Sequence, residues 1–243
     1  MYILGIETTG PVGSAAFMDL DGSSTVVMKK TAEAMSHLRL LTEMIRGLMT
    51  ENLIGPEDIS AIACSAGPGS FTGIRIGVTT ARTIAQVWDK PCISVSSLEV
   101  FAQRCGEEND VAAIFNARRG QVYGALFSAG SGVMLKPGPY MLGDVIEAAE
   151  SAEAAKSPVR VRWYGDGTDA YASDLEGFDI APREERYQTA DMVCAEGAKA
   201  LRAGRTVRYT ELMPDYMRQS EAEQKLRDGT LKRLREEKMK RFR

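Results

Sequence analysis

The segment Gly67-Pro68-Gly69-Ser70-Phe71-Thr72-Gly73-Ile74-Arg75-Ile76-Gly77 constrains the fold of this chain more than any other. It follows the apolar run Ile59–Cys64 and precedes a helical pattern reaching Trp88, so it reads as a strand, a glycine turn and a helix start. Ser70 or Thr72 is the expected N-cap, and backbone N–H groups at Gly69, Ser70, Thr72 and Gly73 beside the positive helix end offer an anion-binding loop. It is not a P-loop, because no Gly-Lys-Ser/Thr follows, and a dinucleotide loop would need a third glycine and a ribose acid at spacings that are not met. Gly73, Gly77, Ala81 and Ala85 recur at i, i+4 and leave a smooth stripe along the helix. Glycine costs a helix roughly 1 kcal/mol relative to alanine. Close packing against a second helix would offset that cost, and a ligand loop is the alternative.

The surrounding pattern is that of an α/β protein made of two related halves. Residues 2–7 read as a buried strand, Ser14–Asp19 as a returning strand after the turn Gly10–Gly13, and Thr25–Lys29 as a third strand after Asp21-Gly22. Thr31–Met49 reads as a helix with two apolar faces, one of Leu38, Leu41, Ile45 and Leu48 and the other of Leu40 and Met44. Pro91–Ser94 is a strand, and Ser97 is placed to cap the helix that follows. A second hairpin, Val111–Asn116 and Gln121–Phe127 around Ala117-Arg118-Arg119-Gly120, echoes the first. Helical and strand patterns then alternate through Asp144–Glu153, Val159–Tyr164 and Ala190–Ala203. The polar span Cys105–Asp110 divides the halves, giving units 1–107 and 108–220 and a charged tail 221–243.

Charge and residue counts exclude several function classes. The 33 Asp and Glu against 30 Lys and Arg make the whole chain no general polyanion binder, although residues 221–243 carry nine Lys or Arg against five acids. The four cysteines are widely spaced, and the first apolar run is too short for a secretory leader or a membrane span, so a reduced, cytoplasmic setting is expected. His37 is the only histidine. One histidine cannot build a multi-histidine metal site, and no Gly-x-Ser-x-Gly elbow exists to receive it in a triad. These counts argue against most familiar hydrolases.

Ile6-Glu7-Thr8-Thr9-Gly10 resembles the first phosphate loop of actin-like ATPases and sugar kinases, where an acid and hydroxyls end a strand. A carboxylate there could hold Mg2+, or Glu7, Thr8 and Thr9 could simply close a hairpin as a vestige of such a loop. No second Asp-x-Gly loop is found where the other half should carry one. Asn116–Gly120 stands there instead, with two arginines that suit a salt-bridged turn or a ligand clamp.

Together these segments resemble the TsaB (YeaZ) family of bacterial tRNA threonylcarbamoyladenosine biosynthesis. The resemblance rests on Ile3–Thr9, on His37, on Gly67–Gly77, on Val95–Glu99, on Ala117–Tyr123 and on Pro214-Asp215-Tyr216-Met217-Arg218, in that order over residues 1–220. The family more often has Asp-Thr-Ser at Glu7-Thr8-Thr9, and Asp at Asn116, which weakens any case for nucleotide hydrolysis. The resemblance implies an actin-like ATPase (ASKHA, ribonuclease H-like) fold. It also implies a non-catalytic dimerization subunit that supports a catalytic TsaD subunit, alongside a TsaE-type ATPase. ATP and metal would belong to the partner, tRNA would be met only through the complex, no membrane would be involved, and the chain alone would form a homodimer. The family's pairing of equivalent helices in a four-helix bundle implies an interface at Leu38, Leu41, Ile45, Gly73, Gly77, Ala81 and Ala85. Competing readings are an independent actin-like kinase or ATPase, and a glycoprotease-type peptidase.

Overall fold

The computed structural model describes residues 1–20, 26–31, 37–155 and 159–217. Strands β1 (Tyr2–Glu7), β2 (Gly13–Asp19) and β3 (Val26–Thr31) form an antiparallel meander. Then follow α1 (His37–Asn52), β4 (Ile59–Gly67), α2 (Phe71–Trp88) and β5 (Cys92–Ser96). β4 joins β1 and β5 joins β4 in parallel, so the sheet order is β3-β2-β1-β4-β5. The second half repeats the plan with β6 (Asn109–Arg118), β7 (Gln121–Ser128), β8 (Gly132–Met141), α3 (Leu142–Ala155), β9 (Arg160–Tyr164), the short α4 (Gly167–Ala170) and β10 (Asp179–Ile180). Its order, β10-β9-β6-β7-β8, is the same topology read from the other edge. A doubled 3-2-1-4-5 unit is the actin-like ATPase architecture.

Both faces of the first sheet are covered, so its central strands are buried almost continuously. Leu4, Ile6, Phe17, Ile62 and Cys64 point to the side of α1 and α2, where Leu41, Met44, Ile45, Leu48, Ile74 and Val78 meet them. Ile3, Ala16, Ala61 and Ala63 point to the opposite side, toward the final helix α5 (Ala190–Arg202). That second layer is shared: Val111, Ala113, Phe115 and Phe127 of the second sheet join the same core through Leu98 and Phe101. The far side of the second sheet packs Ile114, Leu126 and Trp163 against Leu142, Val145 and Ala149 of α3.

Several boundaries differ from the sequence reading. Thr31 ends β3 rather than opening a helix, and α1 starts at His37. The turn at Asp21-Gly22, the side chains of His37 and Leu38, Arg218 and the tail 221–243 lie outside the described residues. Ser97 caps nothing. Its hydroxyl is buried against Thr9, and the Ser96 hydroxyl instead accepts the Glu99 N–H of a 3₁₀ turn at 3.3 Å. The packing also does not stop at residue 107. α5 lies on β1, β2, β4 and β5, and residues 205–217 run back over the first unit. There the Cys92 N–H donates to Val207 O at 2.9 Å, Leu212 is fully buried, and the Asp215 N–H donates to Ala66 O at 2.7 Å. Among the described residues, no helix is long and apolar enough to cross a membrane.

Candidate functional site

β1 delivers Glu7 to the carboxyl end of the sheet, where an actin-like ATPase places its first phosphate loop. Glu7, Thr8 and Thr9 are all buried. The Glu7 carboxylate accepts the Thr9 N–H at 2.5 Å and the Thr9 hydroxyl at 2.6 Å on one oxygen, and the Ser65 hydroxyl of β4 on the other. Thr9 Oγ1 also lies 3.0 Å from Ser97 Oγ and accepts the Gln188 amide at 3.2 Å. Burial raises the Glu7 carboxyl above its ordinary range, and the hydroxyl and N–H donors oppose that shift. Ser65 and Gln188 are thus part of the site without any local motif to announce them, and Ser97 joins them in a role other than the cap its sequence position suggests.

The glycine segment closes on this loop. The Thr8 hydroxyl donates to Gly73 O at 2.7 Å, and the Ser70 N–H donates to Thr9 O at 2.8 Å. Ser70, not Thr72, is the N-cap, accepting the Gly73 N–H at 3.2 Å. A Cβ on Gly73 would stand 1.9 Å from Thr8 O, and one on Gly69 2.6 Å from Thr9 O. Two of the N–H groups expected to hold an anion, those of Ser70 and Gly73, are therefore spent inside the protein, while Thr72 is exposed. The two loops form a clasp.

The small-residue stripe has the same explanation. Gly73, Gly77, Ala81 and Ala85 are all buried within the chain, and a Cβ on Gly77 would lie 2.5 Å from Thr8 Oγ1. Leu41 and Ile45 are buried in the same core. The expected interface residues Leu41, Ile45, Gly73, Gly77, Ala81 and Ala85 hence sit on the inward faces of α1 and α2. A stripe without side chains signals close approach, and at Gly73 and Gly77 the neighbour is β1 and its loop rather than a second helix.

The outward face is different. α1 and α2 pack side by side, and α2 from Phe71 to Trp88 contains no Lys, Asp or Glu. It exposes Phe71 at 38%, Val87 at 74%, and Arg75, Thr79 and Thr83, while Leu53 just beyond α1 is 91% exposed. At the start of α2 the Tyr216 ring stacks on Phe71 with centroids 4.7 Å apart. The Arg75 guanidinium lies 4.1 Å above the Phe71 ring, and its Nε–H donates to Tyr216 Oη at 3.0 Å.

In the second unit the pair Arg118 and Arg119 belongs to a tight hairpin. Arg118 pairs with Gln121, and Arg119 and Gly120 form the two-residue loop with φ of 57° and 75°. Asn116 Oδ1 accepts the Arg118 N–H at 2.8 Å, and the Asn116 N–H donates to Asp166 Oδ1 at 3.2 Å. Burial pushes the Asp166 carboxyl up to about 6, the Asn116 N–H opposes this, and the Asp169 carboxylate adds to it. Asp169 is held by Arg186 and by the Tyr187 hydroxyl, both at 2.5 Å. No group of three or more metal-ligating side chains is gathered among the described residues.

The tRNA threonylcarbamoyladenosine biosynthesis protein TsaB of Bacillus subtilis is 31% identical to this chain over 234 residues, covering 93% of this chain and 97% of that protein. This chain belongs to the TsaB family. The TsaB of Escherichia coli is 34% identical over 128 residues, half of each chain. A family model for TsaD, the tRNA N6-adenosine threonylcarbamoyltransferase, matches residues 30–153, which include α1 and α2. The threonylcarbamoyltransferase of Nitrobacter winogradskyi is 37% identical over 120 residues, with 42% of this TsaB-family chain spanning 34% of that enzyme. YeaZ from Pseudomonas aeruginosa superposes with a TM-score of 0.71 at 22% identity, covering 88% of this chain and 99% of that one, so the two share the fold.

Proposed function

We propose that this TsaB-family chain is a non-catalytic subunit of tRNA N6-threonylcarbamoyladenosine formation that docks on a TsaD-type threonylcarbamoyltransferase through the outward face of α1 and α2. The clasp carries this reading. In an actin-like ATPase the loop after β1 faces phosphate, whereas here the Thr8 hydroxyl and the Ser70 and Gly73 N–H groups bind partners within the chain. Family membership supports a role in tRNA threonylcarbamoyladenosine biosynthesis, and the single histidine agrees with a metal site supplied by another subunit. Phe71, Val87, Leu53 and Arg75 supply an aromatic, aliphatic and Arg-bearing surface of the composition that interface cores favour. In this reading ATP and metal reside on the partner, a TsaE-type ATPase completes the assembly, tRNA is met through the complex in the cytoplasm, and the same face pairs two copies when the partner is absent.

An independent kinase or ATPase would need the clasp opened before phosphate could enter. Reconstitution separates the two readings. Modified tRNA should form when the chain is added to the TsaD-type and TsaE-type proteins of the same organism with ATP and threonylcarbamoyl donor, and the chain alone should neither hydrolyse ATP nor modify tRNA. ATP turnover by the isolated chain would overturn the proposal.

A further inference from the structure

The contact of Phe71, Arg75 and Tyr216 does more than end the fold. Residues 205–217 cross the first unit as a strap, anchored by Val207 on β5, by the buried Leu212 and by Asp215 on β4. This strap brings Tyr216 onto the first turn of α2. Arg75 is exposed, yet one face of its guanidinium lies on the Phe71 ring and its Nε–H is committed to Tyr216. A long side chain normally surrenders rotamer freedom when it binds. Here that freedom is already restricted, and the two Nη groups remain as a planar fork suited to a carboxylate.

We infer that Arg75, held by Phe71 and Tyr216, is a preorganised anchor for a carboxylate side chain on the TsaD-type partner, with Tyr216 as its positioning residue. The inference rests on the docking reading above and specifies its central contact. A nucleic-acid phosphate would suit the same fork, but phosphate-backbone surfaces gather several cations along a track. Arg75 is instead flanked on α2 by Thr72, Thr79 and the exposed Phe71, and the helix carries one further cation, the half-buried Arg82, and no lysine. One exposed arginine held on an aromatic pair is the composition of a protein–protein hot spot.

Binding of the full chain to the TsaD-type protein of the same organism, measured by calorimetry, tests this. Arg75→Ala should weaken binding by more than 10-fold with an unchanged melting temperature, since the side chain is exposed. Arg75→Lys should not restore it, because an ammonium offers neither the stack nor the fork. Tyr216→Phe keeps the ring and loses the hydroxyl, so it should weaken binding several-fold, and that loss should vanish in the Arg75→Ala background, as coupling through Arg75 requires. Wild-type affinity in Arg75→Lys, or an equal Tyr216→Phe effect with and without Arg75, would overturn the inference while leaving the docking proposal standing. No binding by the wild-type chain would overturn both. Unchanged binding with weaker tRNA retention in the Arg75→Ala complex would assign the fork to phosphate instead.

Discussion

Gly77 lies where β1, β4 and α2 converge, and its missing side chain lets the Thr8 hydroxyl reach the helix. A Cβ there would meet Thr8 Oγ1 at 2.5 Å and Cys64 Sγ at 3.3 Å. Gly77→Leu should therefore destabilise the isolated chain by about 3 kcal/mol or more, read from urea unfolding. An association defect in a fully stable variant would instead restore the stripe as an outward interface. The i, i+4 spacing was legible as close approach, but a stripe of glycine and alanine does not say what approaches it. Asp166 offers a second test at this scale. Its carboxyl is pushed up to about 6 in the fold, above the ordinary value of 3.8, so the folded state holds the proton more tightly. Stability from this group is fully present below about pH 4 and is lost as pH rises through about 6, an effect of about 2–3 kcal/mol. Asp166→Asn keeps an acceptor for the Asn116 N–H and removes the charge. It should flatten the decline of unfolding free energy between pH 4 and 7, and an unaltered pH profile would contradict the assignment.

Among the elements, the helices and central strands were the most legible, because their apolar residues follow the periods 3.6 and 2. α2 begins after Ser70, which the N-cap chemistry of serine anticipates. α1 starts later than the periodicity suggests because Thr31 is a β-branched residue that extends β3 as readily as it opens a helix. The strap was legible only through its resemblance to a family segment. It has no regular period, and its attachment depends on single long-range contacts such as Asp215 to Ala66 and Leu212 in the core beneath α2. Leu212→Ala should cost about 2–4 kcal/mol of stability, the usual loss for a fully buried leucine. Thermal unfolding of that variant checks it, and a melting temperature equal to that of the unaltered chain would show that the strap is not part of the cooperative fold.

For the whole molecule, the echo of one hairpin by another anticipated the doubled sheet, since each hairpin fixes two neighbouring strands and the following helices force parallel crossovers, whereas β8 (Gly132–Met141) carried no hairpin signal of its own. The return of α5 to the first unit was not legible. An apolar helix face records that it is buried, not against which of two similar sheets. That return matters to the proposed docking, because α5 and the strap cover the outer face of the α1 and α2 pair only at the start of α2, where Tyr216 lies on Phe71. Hydrogen exchange of the full chain with and without the TsaD-type protein proposed to bind it is the decisive measurement. Added protection is expected in α1, in α2 and at Tyr216 on complex formation, with the β6–β7 turn at Arg118 and Arg119 exchanging as in the free chain. Protection centred on the second unit, with α1 and α2 unchanged, would contradict it.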